Sequence, residues 1–480
     1  ISPMSQLGDY FFCGVGGSGM TPLALIIQAK GGLVEGSDRA LDQGRNAKRF
    51  DFLRARGVLL HPQDGSGVTR ASQIVVTSTA VEETVPDVQV ARRIGATVMT
   101  RARLLAELFN SAVLSVGVAG TSGKSTTVGM LGWILHCAGK NPTIMNGADM
   151  KNFIDEGSPF ASARIGGGEV FVSELDESDG SIALYEPRVA IVNNISLDHK
   201  SLGELRTLFR DFIAKAQTVV LNLDNAETAA LLAGLPPGQA ITYSLDSAQA
   251  NLLASAPVRS PAGIAFRVKA RETGEVVEVN LKVPGLHNVA NALAALSAAK
   301  ICGVPLAAAA ANLDEFSGIR RRLEVVGTAN EITVVDDFAH NPDKISATLE
   351  TLHAFPGRLL VMFQPHGYGP IRLMRDGLVS CFASGLRDED VLVMPEPVYF
   401  GGTVDRSVGS GDIVREIQRC GRKAFAFPDR RACGDMLVRL ASRGDRIVIM
   451  GARDDSLSQF ARELLGRLAV TKDEGSIAAR

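Results

Sequence analysis

Gly120-Thr121-Ser122-Gly123-Lys124-Ser125-Thr126 follows the apolar run Ala112-Val113-Leu114-Ser115-Val116. A glycine-rich turn between a strand and a helix presents backbone amides to phosphate oxygens. Lys124 would reach the β and γ oxygens, and Ser125 can ligate Mg2+. The strict form of this loop has glycine where Val118 stands, but the mechanics survive without it. A nucleoside triphosphate needs a metal, so carboxylates should follow at strand ends. Two stretches supply them. Phe171–Asp179 places Glu174, Asp176, Glu177 and Asp179 just past an apolar strand, and Ile191–His199 ends in Asp198-His199 past another. Glu174 and His199, with Ser125, are the expected Mg2+ ligands. An acid run alone is as readily a solvated loop; its combination with the Lys-Ser turn and the Asp-His pair favours a site.

A second glycine turn opens the chain. Gly14-Val15-Gly16-Gly17-Ser18-Gly19 fits GxGxxG, follows a strand and starts a helix, and Asp38 lies at the end of the next strand. This spacing matches the dinucleotide fingerprint, with pyrophosphate on helix N-terminal amides and the acid on a ribose. An NAD-dependent dehydrogenase is therefore a rival reading. It leaves the Lys124 turn and both acidic stretches unexplained, and the first block ends near residue 112, short of two mononucleotide halves. A diphosphate other than NAD suits the same amides. A nucleotide-gated binding module without ligation is a non-enzymatic alternative.

Holding these residues in place requires parallel sheets. The first block alternates strands at Tyr10–Val15, Gly32–Gly36, Ile74–Thr77 and Ala96–Met99 with helices at Thr21–Lys30 and Arg101–Asn110. The second is expected to have strands at Val113–Val118, Glu169–Glu174, Val189–Asn193 and Thr218–Asn222. Residues 262–283 read as a β-hairpin turning at Glu272-Thr273-Gly274, followed by helices at Asn288–Ile301 and Leu306–Asn312. The third block has strands at Thr333–Asp336, Leu359–Phe363, Asp390–Met394 and Arg446–Met450. Such βα alternation implies parallel sheets. The expected fold is α/β in three domains. Residues 1–111 are Rossmann-like, 112–318 a P-loop-type ATPase-like parallel sheet with a small β-hairpin element, and 319–480 Rossmann-like again.

Length agrees, since 480 residues exceed one ordinary core. A formal charge of −2 offers no global attraction to nucleic acid. No apolar run reaches the roughly 20 residues of a spanning helix, and no signal peptide is visible. Six cysteines are scattered without a CxxC pair, as in a reducing compartment. A cytoplasmic location is expected. His61, His136 and His353 have no constellation around them.

In this order, over about residues 9–465, the motifs resemble those of the Mur ligase family, the ATP-dependent amide-forming enzymes of peptidoglycan precursor synthesis. The resemblance implies ATP on Gly120–Thr126 and Mg2+ on the stretches ending at Asp179 and His199. His287, Asn288 and Asn291 lie in a segment similar to the one near the adenine; the two asparagines are three apart on one helix face, where either a purine edge or helix packing suits them. Arg320 or Arg321, at the boundary of the third domain, would close over the phosphates. Asp336 and Asp337 would accept from ribose hydroxyls, and His340 would orient the incoming amine or accept its proton. Gly14, Gly16, Gly17, Ser18, Gly19, Met20, Ser37, Asp38, Ser78 and Thr79 resemble the part that holds a UDP-sugar. The implied reaction joins an amine to the carboxylate of UDP-N-acetylmuramate through an acyl phosphate. The implied amine is L-alanine, with a recycled peptide as alternative. The implied partners are these small molecules, without nucleic acid or membrane, for a monomer or homodimer.

His340, His366 and Arg372 are the candidates for the amino acid. Family members that add L-alanine carry arginines where this chain has Gly367 and Pro370, and a second histidine where it has Asn341. Arg372 is the nearest substitute.

Overall fold

The computed structural model describes residues 8–78, 83–178, 180–196, 201–261, 263–398, 405–452, 454 and 456–470. Three sheets organise them. The first contains β1 (Asp9–Cys13), β2 (Leu33–Ser37), β3 (Leu59–His61), β4 (Ile74–Thr77) and β5 (Thr97–Thr100), all parallel, in the order 3-2-1-4-5. In β1, Phe11, Phe12 and Cys13 are fully buried, as expected of a parallel strand covered on both faces. The strand order reverses beside β1. A ligand crevice lies outside the carboxyl ends at such a point, and the first glycine turn sits there.

The central sheet comprises β6 (Leu114–Ala119), β7 (Thr143–Met145), β8 (Ala163–Arg164), β9 (Val170–Glu174), β10 (Val189–Val192), β11 (Thr218–Asn222), β12 (Ala240–Ser244), β13 (Leu252–Ser260), β14 (Gly263–Ala270) and β15 (Val276–Leu281). Its order is 15-14-13-12-11-10-6-9-7-8. β6 lies between β10 and β9, so the turn after β6 is flanked by the ends of both strands that carry the acidic stretches. β14 and β15 form the expected antiparallel hairpin, with Gly274 at φ +73° in its turn. They extend the edge of this sheet instead of standing apart.

The third sheet holds β16 (Glu324–Ala329), β17 (Ile332–Asp337), β18 (Leu359–Gln364), β19 (Val391–Pro395), β20 (Lys423–Phe427) and β21 (Arg446–Gly451), in the order 16-17-21-18-19-20. It is parallel except for β16.

The α/β class and the three sheets agree with expectation. Ile74–Thr77, Arg101–Asn110 and Thr218–Asn222 match to the residue. The sequence pattern does not show β3, β7, β8, β12, β13, β16, β20 or the first-block helices Arg39–Asp42, Ala47–Ala55 and Pro86–Ile94, which are short, edge-lying or weakly patterned. The chain forms two compact units. One is Ile1–Val258 with Ile264–Lys282 and Leu286–Gly318, and the other is Ile319–Arg480 with Arg259–Gly263 and Val283–Gly285. Within the first unit, the first two sheets share one apolar core. Phe109, on the helix Arg101–Asn110, meets Phe171 and Tyr185 edge-on at ring separations of 5.8 and 5.4 Å. Among the described residues no helix is long and apolar enough to cross a membrane. All six cysteines are free; Cys137 and Cys420 are exposed and the others buried.

Candidate functional site

The turn after β6 leads into the helix Lys124–Cys137 through Gly123 at φ +82°. A β-carbon there would lie 2.3 Å from Asn291 Oδ1, so both conformation and space demand glycine. The loop's shape is fixed from β10. Thr121 N donates to Asn194 O at 3.0 Å, and Ser122 N to Asn194 Oδ1 at 2.9 Å. Asn193 Nδ2 donates to Thr127 Oγ1 at 3.0 Å. These two asparagines lie within the stretch Ile191–His199, where only the Asp-His pair carries an expected role. Asparagine has both donors and an acceptor in one side chain, which suits it to clip a loop.

Lys124 Nζ donates to Gly120 O at 2.7 Å and to Glu177 Oε2 at 2.8 Å. Burial opposes its charge, but Glu177, Glu174 and Asp176 together hold its pKa above the ordinary lysine value. Burial likewise pushes the Glu177 carboxyl up, against the pull of Lys124. With several carboxylates around one ammonium, Lys124 stays charged. Ser125 Oγ donates to Glu174 Oε2 at 2.7 Å, and Gly147 N donates to the same oxygen at 2.9 Å. A hydroxyl and a carboxylate in contact are hard oxygen donors and fit Mg2+. Asn146 adds an amide whose Nδ2 donates to Ser125 O at 3.0 Å, while its buried Oδ1 has no partner. His199, Asp198 and Asp179 lie outside the described residues.

Asn288 and Asn291 are buried. Asn291 Nδ2 donates to Asn288 Oδ1 at 3.1 Å, and Thr127 Oγ1 lies 3.4 Å from Asn291 Oδ1. Asn291 therefore packs under the Lys124 loop, the packing role that the sequence leaves open for it beside a purine edge. His287, on the same helix, is exposed, and Thr126 is buried.

At the first turn, Gly14 and Val15 amides donate to Ser37 O at 2.8 and 3.0 Å. Asp38 accepts from Gly16 N and from Ala40 N, both at 2.8 Å, so this acid braces the turn. Two of the expected residues turn their side chains inward. The Ser37 hydroxyl is fully buried and donates to Asp87 at 2.6 Å, and Met20 points into the core. Gly16, Gly17, Ser18 and Gly19 form the turn itself. Ser78 directly follows β4, and Thr79 lies outside the described residues. Arg49 and Arg101, absent from the sequence reading, flank the turn. Arg49 Nη1 donates to Gly16 O at 2.8 Å, and the Arg101 guanidinium lies across Gly19.

The third sheet requires the largest corrections. Arg321, expected over phosphates, is buried. Its Nη2 donates to Gly451 O at 2.6 Å, its Nε lies 3.3 Å from Asp336 Oδ1, and its Nη1 reaches Asp454 O at 3.2 Å. Asp336 also accepts from Ser458 Oγ at 2.6 Å, and burial raises its pKa despite both partners. Asp337 accepts from Leu323 N at 2.9 Å and Thr348 Oγ1 at 2.6 Å. Both carboxylates have protein partners in this structure. Together they pin a turn in which Arg321 and Leu323 hold φ of +58° and +49°, backbone that costs roughly 1–3 kcal/mol per residue. Arg320 is half-buried on that turn. Arg372 is exposed and paired with Asp405.

His340 and His366 follow the ends of β17 and β18 and meet edge-on, with ring centroids 5.4 Å apart. His340 Nδ1 lies 3.0 Å from Phe338 O. Burial, reinforced by Lys344 and further by His366 and Arg322, pushes its pKa down to about 3. The ring is neutral at working pH. Its Nδ1 proton sits on the carbonyl, leaving Nε2 as an acceptor. The histidines read as incidental have partners of their own: His61 with Glu35, His136 with Arg164 and His353 with Asp390.

Comparison with known proteins agrees with this geometry. Residues 9–112 match the model for the Mur ligase family catalytic domain, 118–299 that for the Mur ligase middle domain, and 321–453 that for the Mur ligase glutamate ligase domain. The chain is 33% identical to the UDP-N-acetylmuramate–L-alanine ligase of Pelotomaculum thermopropionicum, over 94% of this chain and 96% of that one. It is 35% identical to the enzyme of the same name from Gloeobacter violaceus, over 95% of each chain. Among solved structures, it is similar to the UDP-N-acetylmuramate-alanine ligase of Thermotoga maritima, with a TM-score of 0.77, 25% identity, and 97% of this chain and 100% of that one covered. It is also similar to a murein peptide ligase of Psychrobacter arcticus, with a TM-score of 0.68, 25% identity, and 96% and 99% covered. This chain belongs to the Mur ligase family.

Proposed function

We propose that the protein is an ATP-dependent ligase that joins L-alanine to the carboxylate of UDP-N-acetylmuramate in peptidoglycan precursor synthesis. It works on small molecules in the cytoplasm, as a monomer or homodimer. The full-length likeness to alanine ligases supports the substrates. The observation that carries the chemistry is Lys124, charged and held at the mouth of a phosphate loop. Residues near 1–111 would hold the UDP-sugar, 112–318 the ATP, and 319–480 the amine.

Mg2+, bound by Ser125 and Glu174 with His199 as the further candidate, would supply Lewis-acid charge beside the β and γ phosphates. Lys124 neutralises the γ-phosphoryl oxygens as the sugar's carboxylate attacks phosphorus, giving ADP and an acyl phosphate. The amine then adds at the acyl carbon, and inorganic phosphate leaves. His340 accepts an N–H of that amine at Nε2 and aims it. The positive charge needed by the amino-acid carboxylate is close at hand, because Lys344 and Arg322 act on His340 itself.

A histidine already neutral cannot supply a titration limb. Between pH 5.5 and 8, kcat/KM should therefore show no step that disappears in His340→Gln, whereas His340→Ala should lower kcat by about 100-fold. A limb abolished by His340→Gln would refute the orienting role. Stability has a definite sign. The unfolded chain binds this proton near the ordinary histidine value of 6.5 and the folded one only near about 3. His340 therefore stabilises the fold fully above the higher value and progressively less as pH falls through that window.

The substrate reading is tested by phosphate release with ATP, UDP-N-acetylmuramate and, separately, L-alanine, glycine, L-serine and a tripeptide. L-Alanine should give the highest kcat/KM. Turnover with the tripeptide alone would move the assignment to peptide recycling. No turnover with any amine would end the ligase assignment.

A further inference from the structure

We propose that Arg101 is a substrate-binding residue whose guanidinium holds the diphosphate of the UDP-sugar against the first glycine turn. The inference rests on the ligase reading and adds to it a cation of that subsite, beside Arg49 on Gly16 O.

Most amides of the turn are taken inside the protein. Gly14 N and Val15 N donate to Ser37 O, Gly17 N to Gly14 O, and Met20 N to Gly17 O, while Gly16 N goes to Asp38. The amides of Ser18 and Gly19 have no acceptor among the described residues, and they open the helix Met20–Ala29. A helix start carries about half a positive charge, whereas a diphosphate ester carries a negative charge on each phosphoryl group. Two free amides and a helix end do not neutralise it. The phosphate loop of the central sheet has Lys124 for this purpose, but the first turn contains no cationic residue of its own.

Arg101 supplies one from outside the turn. It begins the helix Arg101–Asn110, directly after β5. Its Nη1 lies 2.7 Å, and its Cζ 3.2 Å, from where a β-carbon on Gly19 would stand. The guanidinium thus occupies the space that a side chain on Gly19 would fill. The side chain is half-buried, and it makes no hydrogen bond or ion pair within 4 Å among the described residues. Its charge is among those that hold the Asp176 carboxyl, in the acid run past β9, below the ordinary carboxylate value. A planar fork of N–H donors suits two phosphoryl oxygens at once.

The test compares wild type with Arg101→Gln and Arg101→Lys by calorimetric titration with UDP and with Mg-ATP. Charge-assisted bonds of this kind account for about 10- to 100-fold in affinity. Arg101→Gln should weaken UDP by that factor and raise KM for UDP-N-acetylmuramate similarly, with Mg-ATP affinity unchanged. Arg101→Lys should recover part of the loss. Equal UDP binding by wild type and Arg101→Gln would overturn the inference while leaving the ligase reading intact. Parallel loss of UDP and ATP binding with a lowered melting temperature would show a structural role and overturn it as well. A wild-type protein that binds no UDP would overturn the ligase reading and this inference together.

Discussion

Lys124→Met should lower kcat by about three orders of magnitude or more, since even one neutral donor removed from a charge-stabilising site costs about 100- to 1,000-fold. The same substitution should also destabilise the protein. Lys124 and Glu177 are a largely buried pair, with side chains 13% and 8% exposed. Removing one partner leaves the other charge buried, which costs about 3–5 kcal/mol. The two effects separate in the double variant. Lys124→Met with Glu177→Gln removes the orphaned carboxylate, so stability should largely return while turnover stays lost. Phosphate-release kinetics and urea unfolding measure both. A single variant retaining activity within tenfold of wild type would remove Lys124 from the chemistry.

Arg321→Met should destabilise the unit Ile319–Arg480 by about 3–5 kcal/mol, because it strands Asp336 in the interior without its cation. Asp336→Asn should also be costly, and the pair should be strongly non-additive in a double-mutant cycle. Arg321 does more than pair. It caps Gly451 O and Asp454 O and is part of the turn with left-handed backbone. An arginine acting on phosphates from the surface would behave differently, with unfolding unchanged and KM for ATP raised. Urea unfolding followed beside ATP kinetics distinguishes the two, and unchanged unfolding would restore the phosphate role.

The contrast between these residues shows where a sequence stops being informative. The Lys124 loop is legible because its chemistry is local: glycines at fixed spacing, a strand before and a helix after. The same holds for the first glycine turn and for the hairpin that turns at Gly274. Asp336 and Asp337 look like another pair of acids at a strand end, as Glu174 does. Glu174 sits beside Ser125 and a backbone amide, whereas the other two are enclosed by Arg321, Ser458, Leu323 and Thr348. Nothing near Asp336 in the chain signals Ser458. Arg101 illustrates the converse, an unremarkable arginine in a helix start that proves to lie over Gly19.

By itself, the amino-acid order determined the α/β class, the three sheets and the two glycine turns, because hydrophobic period and glycine spacing act over a few residues. The tertiary structure alone decided which acids stand beside the Lys124 loop and which brace the protein. It likewise assigned Asn194 to hold the loop and Arg101 to flank the turn. Charged and amide side chains take their role from the partner that burial supplies, and that partner often comes from far along the chain.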